Sequence, residues 1–198
     1  MSDASRQLIF ATNNQHKANE INSILGTAFK ICTLREAGLE IDIPEPHDTL
    51  EENAREKSLT IYKLKNWDCF SEDTGLEVEA LGGAPGVKSA RYAGEHCNTD
   101  DNIDKLLTEL ANQENRKARF RTVISLIENG TEKQFEGICE GAIDWKKNGE
   151  QGFGYDPIFI PEDQHKTFAQ MPLAEKNKYS HRARAMTKFL IFLEERSV

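Results

Sequence analysis

Apolar residues recur along the chain with two different periods, and this pattern predicts the order of its elements. The short apolar run at 8–10 is followed by polar residues at 11–14, and Ala18, Ile21 and Ile24 then recur at helical spacing. This start predicts a strand, a loop and a helix. Because the first turn of a helix has unpaired N–H groups, such a loop favours a bound anion.

A second strand and a long helix are predicted next. Residues 29–34 are strand-like, an irregular acidic stretch with Pro44 and Pro46 follows, and a helix is predicted from Thr49. Thr49 and Glu52 have the spacing of a capping box, which marks the start of that helix. The residues expected on its apolar side are Leu50, Ala54, Ile61 and Leu64.

The central stretch, residues 71–94, has the sequence SEDTGLEVEALGGAPGVKSARYAG. An apolar strand-like run ends just before it, so we expect Glu72 and Asp73 in a turn at the strand end. Two adjacent carboxylates there are candidate ligands of a divalent cation. Thr74 and Gly75 offer a hydroxyl and an open backbone N–H to a phosphate oxygen. A plain polar turn is the alternative interpretation.

The second half of the chain predicts a further helix, a β-hairpin and a final helix. Apolar residues recur at helical spacing from Thr99, and an Asn-Gly turn joins two β-rich runs at 118–127 and 134–143. The final helix has a candidate cap at Ser180. Because a pair of antiparallel strands follows an alternating strand and helix start, the pattern predicts an α/β fold with a mixed sheet.

Composition narrows the class of protein. The 198 residues carry a formal net charge of −8, which disfavours nucleic-acid polymers and anionic membrane surfaces as partners. No apolar run is long enough to span a bilayer and the N-terminus lacks a signal-peptide pattern, so we expect a cytoplasmic protein. The four cysteines form no CxxC pair, which argues against a zinc site and a disulfide framework. We expect one domain over residues 1–198.

Several polar residues lie where a ligand is expected, although each has a plainer explanation. Lys17 falls in the first turn of the first helix, and Glu45 is held between two prolines. Asn53 and Lys57 share one face of the second helix, where an exposed pair is the alternative. His181, in the first turn of the last helix, is more typical of a surface residue.

Residues 152–157 read GFGYDP and are candidates for a pocket that binds a heterocyclic base. Phe153 or Tyr155 would stack on the base, and Asp156 would bind its polar edge. A turn with core aromatic residues is the alternative.

Taken together, these motifs resemble the inosine/xanthosine triphosphate pyrophosphatase family, the noncanonical purine nucleoside triphosphate pyrophosphatases of the Ham1/RdgB type. The resemblance covers nearly the whole chain. The motifs that carry it are ATNNQHK (11–17), EENAREK (51–57), the central stretch (71–94), GFGYDPIF (152–159), TFAQM (167–171), EKN (175–177) and SHRARA (180–185).

The resemblance implies a role for each candidate residue. The catalytic residues would be Asp73, Glu72, Lys17 and Lys57. Glu45 and Asp73 would hold Mg²⁺, and Asp73 would also accept the proton of the attacking water. The triphosphate would be bound by Thr12, Asn13, Asn14, Lys17, Asn53, Lys57, Thr74 and Gly75. The pocket for a 6-oxo purine would be formed by Phe153, Gly154, Tyr155, Asp156, Lys176, His181 and Arg182.

The resemblance also implies the fold and the reaction. The fold would be an elongated α/β structure in which helices flank a mixed sheet, with two lobes, a central cleft and a homodimeric assembly. The reaction would be hydrolysis of ITP, dITP or XTP to the monophosphate and pyrophosphate, which removes these nucleotides from the pool. Three alternatives remain: a Maf-like pyrophosphatase acting on modified pyrimidine nucleotides, a catalytically silent nucleotide-binding regulator, and a structural dimerisation module that leaves the polar loops unexplained.

Two positions depart from the family pattern. The family commonly has Thr-Gly-Asn where this chain has Asn13 between Thr12 and Asn14, and its acidic pair is often two aspartates where this chain has Glu72 before Asp73. Asparagine tolerates left-handed backbone angles better than most residues, so we expect the loop to keep its conformation. The aspartate expected to act as the base is retained.

Overall fold

The computed structural model describes residues 6–27 and 29–196. The chain divides into two compact units. Unit 1 comprises the described residues of Met1–Asp73, Thr122–Glu136 and Arg182–Val198, and unit 2 comprises Thr74–Arg121 and Gly137–His181. None of the helices in the described residues has the length and apolar character that a bilayer crossing demands. The single domain over 1–198 and its central cleft stay predictions.

The described residues form seven strands in one mixed sheet. The strands are β1 (Arg6–Phe10), β2 (Phe29–Thr33), β3 (Cys69–Val78), β4 (Pro85–Gly86), β5 (Lys117–Glu128), β6 (Thr131–Ile143) and β7 (Phe159–Pro161). Their order is β2-β1-β3-β5-β6-β7, and β4 pairs with β3. β1 runs parallel to β2 and β3, whereas β4 and β7 run antiparallel to β3 and β6. The predicted mixed α/β sheet is confirmed.

Five α-helices accompany the sheet in the described chain. They are α1 (Gln15–Ile24), α2 (Leu50–Lys65), α3 (Thr99–Glu109), α4 (Leu173–Lys176) and α5 (His181–Glu195). Thr49 caps α2 as predicted, because its Oγ1 accepts the N–H of Glu52 at 3.2 Å. One expected apolar contact is wrong: Leu64 is 56% exposed, because it lies in the last turn of α2, just before the helix ends at Asn66.

The predicted turn at residues 71–75 is also wrong, because β3 continues through it to Val78. Glu72 and Asp73 are buried inside the strand and not at its end. Polar residues are rare in a buried strand unless each of them finds a partner, so the sequence pattern looked like the end of the strand. The partners that make burial possible come from residues distant in sequence.

The hairpin between β5 and β6 is confirmed. Asn129 has φ +50° and Gly130 has φ +76°, and positive φ at both central residues is the geometry of a tight two-residue hairpin turn. The turn therefore fixes β5 and β6 as adjacent antiparallel strands.

Each unit has its own apolar core. In unit 1 the ring of Phe70 on β3 stacks on Phe10 of β1 with centroids 4.6 Å apart, and it also contacts Phe189 of α5 at 5.0 Å. All three rings are fully buried. In unit 2 Phe120 of β5 packs against Phe159 of β7 with centroids 4.7 Å apart. These cores hold the strands that carry the polar candidates.

Replacing Phe70 with alanine should lower the free energy of unfolding by about 3–5 kcal/mol, because a buried ring leaves a cavity between Phe10 and Phe189. Urea unfolding followed by circular dichroism measures this loss. Phe70→Leu is the control and should cost clearly less, since most of the volume is retained. A loss below about 1 kcal/mol for the alanine variant would contradict the central position of this ring.

Candidate functional site

The loop between β1 and α1 is held by its own side chains. The Oδ1 atom of Asn14 accepts the N–H of Lys17 at 3.1 Å and caps α1, and Thr12 Oγ1 accepts the N–H of Asn14 at 3.1 Å. Asn13 points elsewhere, since its Nδ2 donates to the carbonyl of Ile41 at 2.7 Å. The first turn of α1 is therefore ordered as an anion site requires, and phosphate binding by these residues stays a prediction.

Glu72 lies at the centre of a buried ion cluster in unit 1. Its carboxylate accepts two parallel bonds from Arg182, Nε to Oε2 and Nη2 to Oε1, both at 2.8 Å. The ammonium of Lys17 lies 3.2 Å from the same Oε1. Such a bidentate pair is the strongest geometry for an arginine and a carboxylate.

The charges around Glu72 decide its protonation. Burial by itself would raise the pKa of Glu72, but Arg182 and Lys17 outweigh it and lower this pKa to about 2. A carboxylate with such a pKa is a weak proton acceptor near neutral pH. The geometry thus favours Glu72 as a counter-ion of the two cations, and its catalytic role stays a prediction.

Glu20 completes this cluster, and the sequence reasoning missed it. Arg182 Nη1 donates to Oε2 of Glu20, which is buried on α1, one helical turn after Lys17. A glutamate beside the apolar positions Ala18 and Ile21 is the signal that was available, since a charge on a buried helix face needs a partner.

Arg182 was predicted to line the base pocket, and its guanidinium instead has Glu72 and Glu20 of unit 1 as partners. Burial lowers the pKa of Arg182, but Glu72 and Glu20 outweigh this effect and raise it. Arg182 is thus permanently charged, and contact with a base stays a prediction.

A second buried cluster in unit 1 joins Lys57 to two carboxylates. The Nζ of Lys57 donates to Glu45 Oε1 at 2.5 Å and to Asp73 Oδ1 at 3.0 Å. The alternative of an exposed pair is wrong, since Lys57 is 8% exposed. The structure therefore brings together three of the residues that sequence reasoning selected.

The pKa values of the three groups in this cluster are shifted in different directions. Burial raises the pKa of Asp73, and the opposing effect of Lys57 leaves a net increase. Burial also acts to raise the pKa of Glu45, but Lys57 reverses the sign and this pKa is lowered. Burial lowers the pKa of Lys57, and Asp73 and Glu45 together raise it above its ordinary value. Asp73 is thus the carboxylate in this cluster that accepts a proton most readily.

The cluster has the chemistry to hold a divalent cation. Among the described residues, the buried Oδ2 of Asp73 has no hydrogen-bond partner. Glu45 and Asp73 already share one positive charge, and carboxylate oxygens are the ligands that Mg²⁺ prefers. The described part of the chain holds no group of three histidine, cysteine or acidic side chains arranged for a metal. Water and a bound phosphate would have to complete the coordination.

Asn53 is buried and holds the segment that carries Glu45, which we name the proline loop (residues 41–47). Asn53 Oδ1 accepts the N–H of His47 at 3.0 Å, and its Nδ2 donates to the carbonyl of His47 at 3.1 Å. The exposed amide considered from the sequence is wrong, since the side chain is fully buried.

The predicted base-pocket residues of unit 2 form a third buried pair. Asp156 Oδ2 accepts the N–H of Phe153 at 2.9 Å and the ammonium of Lys176 at 2.5 Å. Lys176 also lies 5.4 Å from the centroid of the Phe153 ring. Gly152 allows this arrangement, because a Cβ there would meet Asp156 Oδ2 at 2.0 Å. Asp156 thus holds Lys176 in place, and its contact with a base stays a prediction.

Two further pocket candidates are packed into the core of unit 2. Tyr155 is buried and donates its hydroxyl to the carbonyl of Ser89 at 2.9 Å. His181 is buried with its ring stacked on Phe120, centroids 4.5 Å apart, so the expectation of a surface residue is wrong. Gly154, in contrast, has open space where a side chain would be.

Thr74 and Gly75 lie within β3, in the part of the strand that belongs to unit 2. Thr74 is half-buried and Gly75 is buried. Their contact with a phosphate stays a prediction.

The ion cluster around Glu72 predicts how stability depends on pH. The pKa of Glu72 falls from an ordinary 4.5 to about 2 in the folded chain, so its stabilising effect is full above pH 4.5 and is lost as the pH falls toward 2. The loss amounts to about 3 kcal/mol, since one pKa unit corresponds to about 1.4 kcal/mol. Urea unfolding of wild type and Glu72→Gln across this range measures it, with exposed Glu114→Gln as the control. Equal pH slopes for wild type and Glu72→Gln would contradict the buried pair.

Comparisons with known proteins identify relatives of this chain. The model of the Ham1 family matches residues 8–192. The chain is 50% identical over 188 residues to a dITP/XTP pyrophosphatase of Flavobacterium psychrophilum, covering 95% of this chain and 99% of that protein. It is 52% identical over 188 residues to a dITP/XTP pyrophosphatase of Porphyromonas gingivalis, covering 94% and 97%.

Solved structures give the same result. The structure of the Staphylococcus aureus Ham1 protein matches with a TM-score of 0.87 and 40% sequence identity over 96% of this chain and 100% of that chain. A HAM1 protein from Coxiella burnetii matches with a TM-score of 0.87 and 34% identity over 96% and 99%. Sequence and fold agree over almost the entire length of each relative, and the chain therefore belongs to the Ham1 family.

Proposed function

We propose that this chain hydrolyses noncanonical purine nucleoside triphosphates (dITP, XTP and ITP) to the monophosphate and pyrophosphate. The observation that carries the proposal is the buried carboxylate of Asp73, which Lys57 holds through one oxygen while the other has no hydrogen-bond partner in the described chain. Relatives named dITP/XTP pyrophosphatase at 50% and 52% identity support the choice of substrate.

The triphosphate binds at the positive end of α1 and at two lysines. Lys17 lies in the first turn of α1, and its ammonium is partly exposed, so it can leave Glu72 for a phosphate oxygen. Lys57 neutralises charge that develops on the pyrophosphate leaving group. In this proposal the side chains of Thr12, Asn14 and Thr74 and the backbone N–H of Gly75 bind further phosphate oxygens, whereas Asn13 contacts the carbonyl of Ile41.

Glu45 and Asp73 hold the Mg²⁺ ion that the family resemblance implies. When bound, the ion neutralises phosphate charge and polarises the phosphorus that is attacked. The two carboxylates supply the protein's share of the ligands, and their shared contact with Lys57 supports this assignment.

Asp73 accepts the proton of the attacking water. Burial raises its pKa, which makes Asp73 a stronger base than an ordinary aspartate, and Lys57 opposes this effect by favouring the ionised form. Attack on the α-phosphorus then breaks the bond to the β-phosphate, and pyrophosphate leaves.

Base selection rests on donors aimed at the 6-oxo group. Lys176 is fixed by Asp156 beside the ring of Phe153, where its ammonium can donate to O6 of hypoxanthine or xanthine. The family resemblance adds His181 and Arg182 at the start of α5 and Gly154 and Tyr155 to this pocket, although the guanidinium of Arg182 is bonded to Glu72 and Glu20 and would have to exchange a partner to reach the base. The amino group of adenine would leave these donors unpaired, which disfavours ATP.

The proposal extends to assembly and location. The family resemblance supports a homodimer and an enzyme that removes these nucleotides from the pool, and the cytoplasmic location stays a prediction.

Purified protein with Mg²⁺ should release pyrophosphate from dITP, XTP and ITP much faster than from GTP or ATP, and Asp73→Asn should lower kcat at least about 100-fold. Asp68→Asn, which changes an exposed carboxylate that accepts the N–H of Asn129, is the control and should keep full activity. Binding without pyrophosphate release would favour the silent regulator. Turnover of modified pyrimidine nucleotides instead would favour the Maf-like alternative.

Removing the buried pair in unit 2 should affect base selection alone. The double variant Lys176→Met with Asp156→Asn avoids leaving one charge buried without its partner. We expect kcat/KM for XTP to fall about tenfold or more, because a donor to O6 is lost. Inhibition by inorganic pyrophosphate, which reports on the triphosphate side, should be unchanged. An equal loss in both measurements would indicate a folding defect and contradict the assigned role.

A further inference from the structure

The proline loop has no helix or strand of its own, yet it carries Glu45 into the cluster of Lys57 and Asp73. Pro44 and Pro46 flank Glu45 and have no N–H group, so this part of the loop has few donors for backbone hydrogen bonds. Its position must therefore be fixed by groups from elsewhere in the chain.

Two asparagine side chains supply these groups, one at each end of the loop. Asn13 donates to the carbonyl of Ile41 at 2.7 Å, four residues before Glu45. Asn53 makes two bonds with the backbone of His47, two residues after Glu45. The two asparagines thus bracket the carboxylate from both sides.

The helix α2 links this anchoring to the cation site. Asn53 and Lys57 are four residues apart on α2 and lie on the same face. One helix face therefore holds the backbone of the proline loop through Asn53 and the carboxylate of Glu45 through Lys57. Because Glu45 is only two residues from His47, we expect a displacement of His47 to shift the carboxylate of Glu45 relative to Asp73.

We propose that Asn13 and Asn53 are positioning residues that set the affinity for the divalent cation through Glu45, and that neither contacts the substrate. This inference rests on the proposed function, and it replaces the expectation that both asparagines bind the triphosphate.

The two asparagines should differ in how strongly they affect cation binding, because they differ in burial. Asn53 is fully buried and makes two hydrogen bonds with the proline loop, whereas Asn13 is exposed and makes one. Bonds that water can replace contribute less than buried ones. We expect Asn53→Ala to weaken cation binding about tenfold and Asn13→Gly about threefold.

Mn²⁺ binding tests this directly, through the electron paramagnetic resonance signal of the free ion. The titration uses the full chain with an α,β-methylene analogue of ITP, which is not hydrolysed. The affinities should rank wild type, Asn13→Gly, Asn53→Ala from tightest to weakest. Saturating Mg²⁺ should restore kcat/KM with ITP in both variants, because a positioning defect is overcome by mass action whereas a lost substrate contact is not.

Asn102 in unit 2 provides a matched control. Its side chain is buried and, like that of Asn53, makes two hydrogen bonds with the backbone of a loop. It accepts from the N–H of Ala93 at 2.6 Å and donates to the carbonyl of Ala90 at 2.9 Å. Asn102→Ala should lower the melting temperature to a similar extent as Asn53→Ala and leave Mn²⁺ affinity unchanged.

The outcomes separate the inference from the proposed function. Unchanged Mn²⁺ affinity in Asn53→Ala, or a loss of kcat/KM that saturating Mg²⁺ does not restore, overturns the inference alone. A wild-type protein that binds no Mn²⁺ and hydrolyses no ITP overturns the proposed function. Equal weakening by Asn102→Ala would show that the effect is general destabilisation, and this too overturns the inference.

Discussion

Unit 1 is built around the burial of two adjacent carboxylates on one strand. Successive side chains of a strand point to opposite faces of a sheet, so Glu72 and Asp73 need separate partners. Arg182 and Lys17 neutralise the first, and Lys57 neutralises the second. Each partner comes from a different helix, which means that α1, α2 and α5 must all be in place before β3 is stable at this point.

The same arrangement gives Glu72 and Asp73 different acid–base properties. Glu72 receives a bidentate arginine and a lysine, and its pKa is lowered to about 2. Burial raises the pKa of Asp73 more than Lys57 and Lys17 lower it, and the nearby Glu45 adds to the increase. Two carboxylates one residue apart thus acquire opposite character, a fixed anion and a base, from their surroundings alone. The residue types by themselves do not distinguish these roles.

Periodicity and the Asn-Gly turn were sufficient to predict α1, α2, α3, α5, the hairpin and the mixed sheet, because these follow regular repeats of apolar positions or a strong turn signal; the short helix α4 was not predicted. It failed where polar residues interrupt a buried element: β3 was expected to end where Glu72 and Asp73 begin. The ion-pair partners of the buried charged residues were also not predicted. The contact of Arg182 with Glu20 joins residues 162 positions apart, and no local pattern encodes it. The resemblance selected Asn53 as a site residue, which stays a prediction, and its contacts with the proline loop are visible only in the structure.

Lys57 affects the charge balance of its cluster even when no ligand is bound. Many metalloproteins fold only when the ion is present, because their ligands repel one another without it. Here Lys57, which belongs to the chain itself, offsets one of the two negative charges of Glu45 and Asp73. The chain thus supplies part of the charge compensation that would otherwise come entirely from a bound cation.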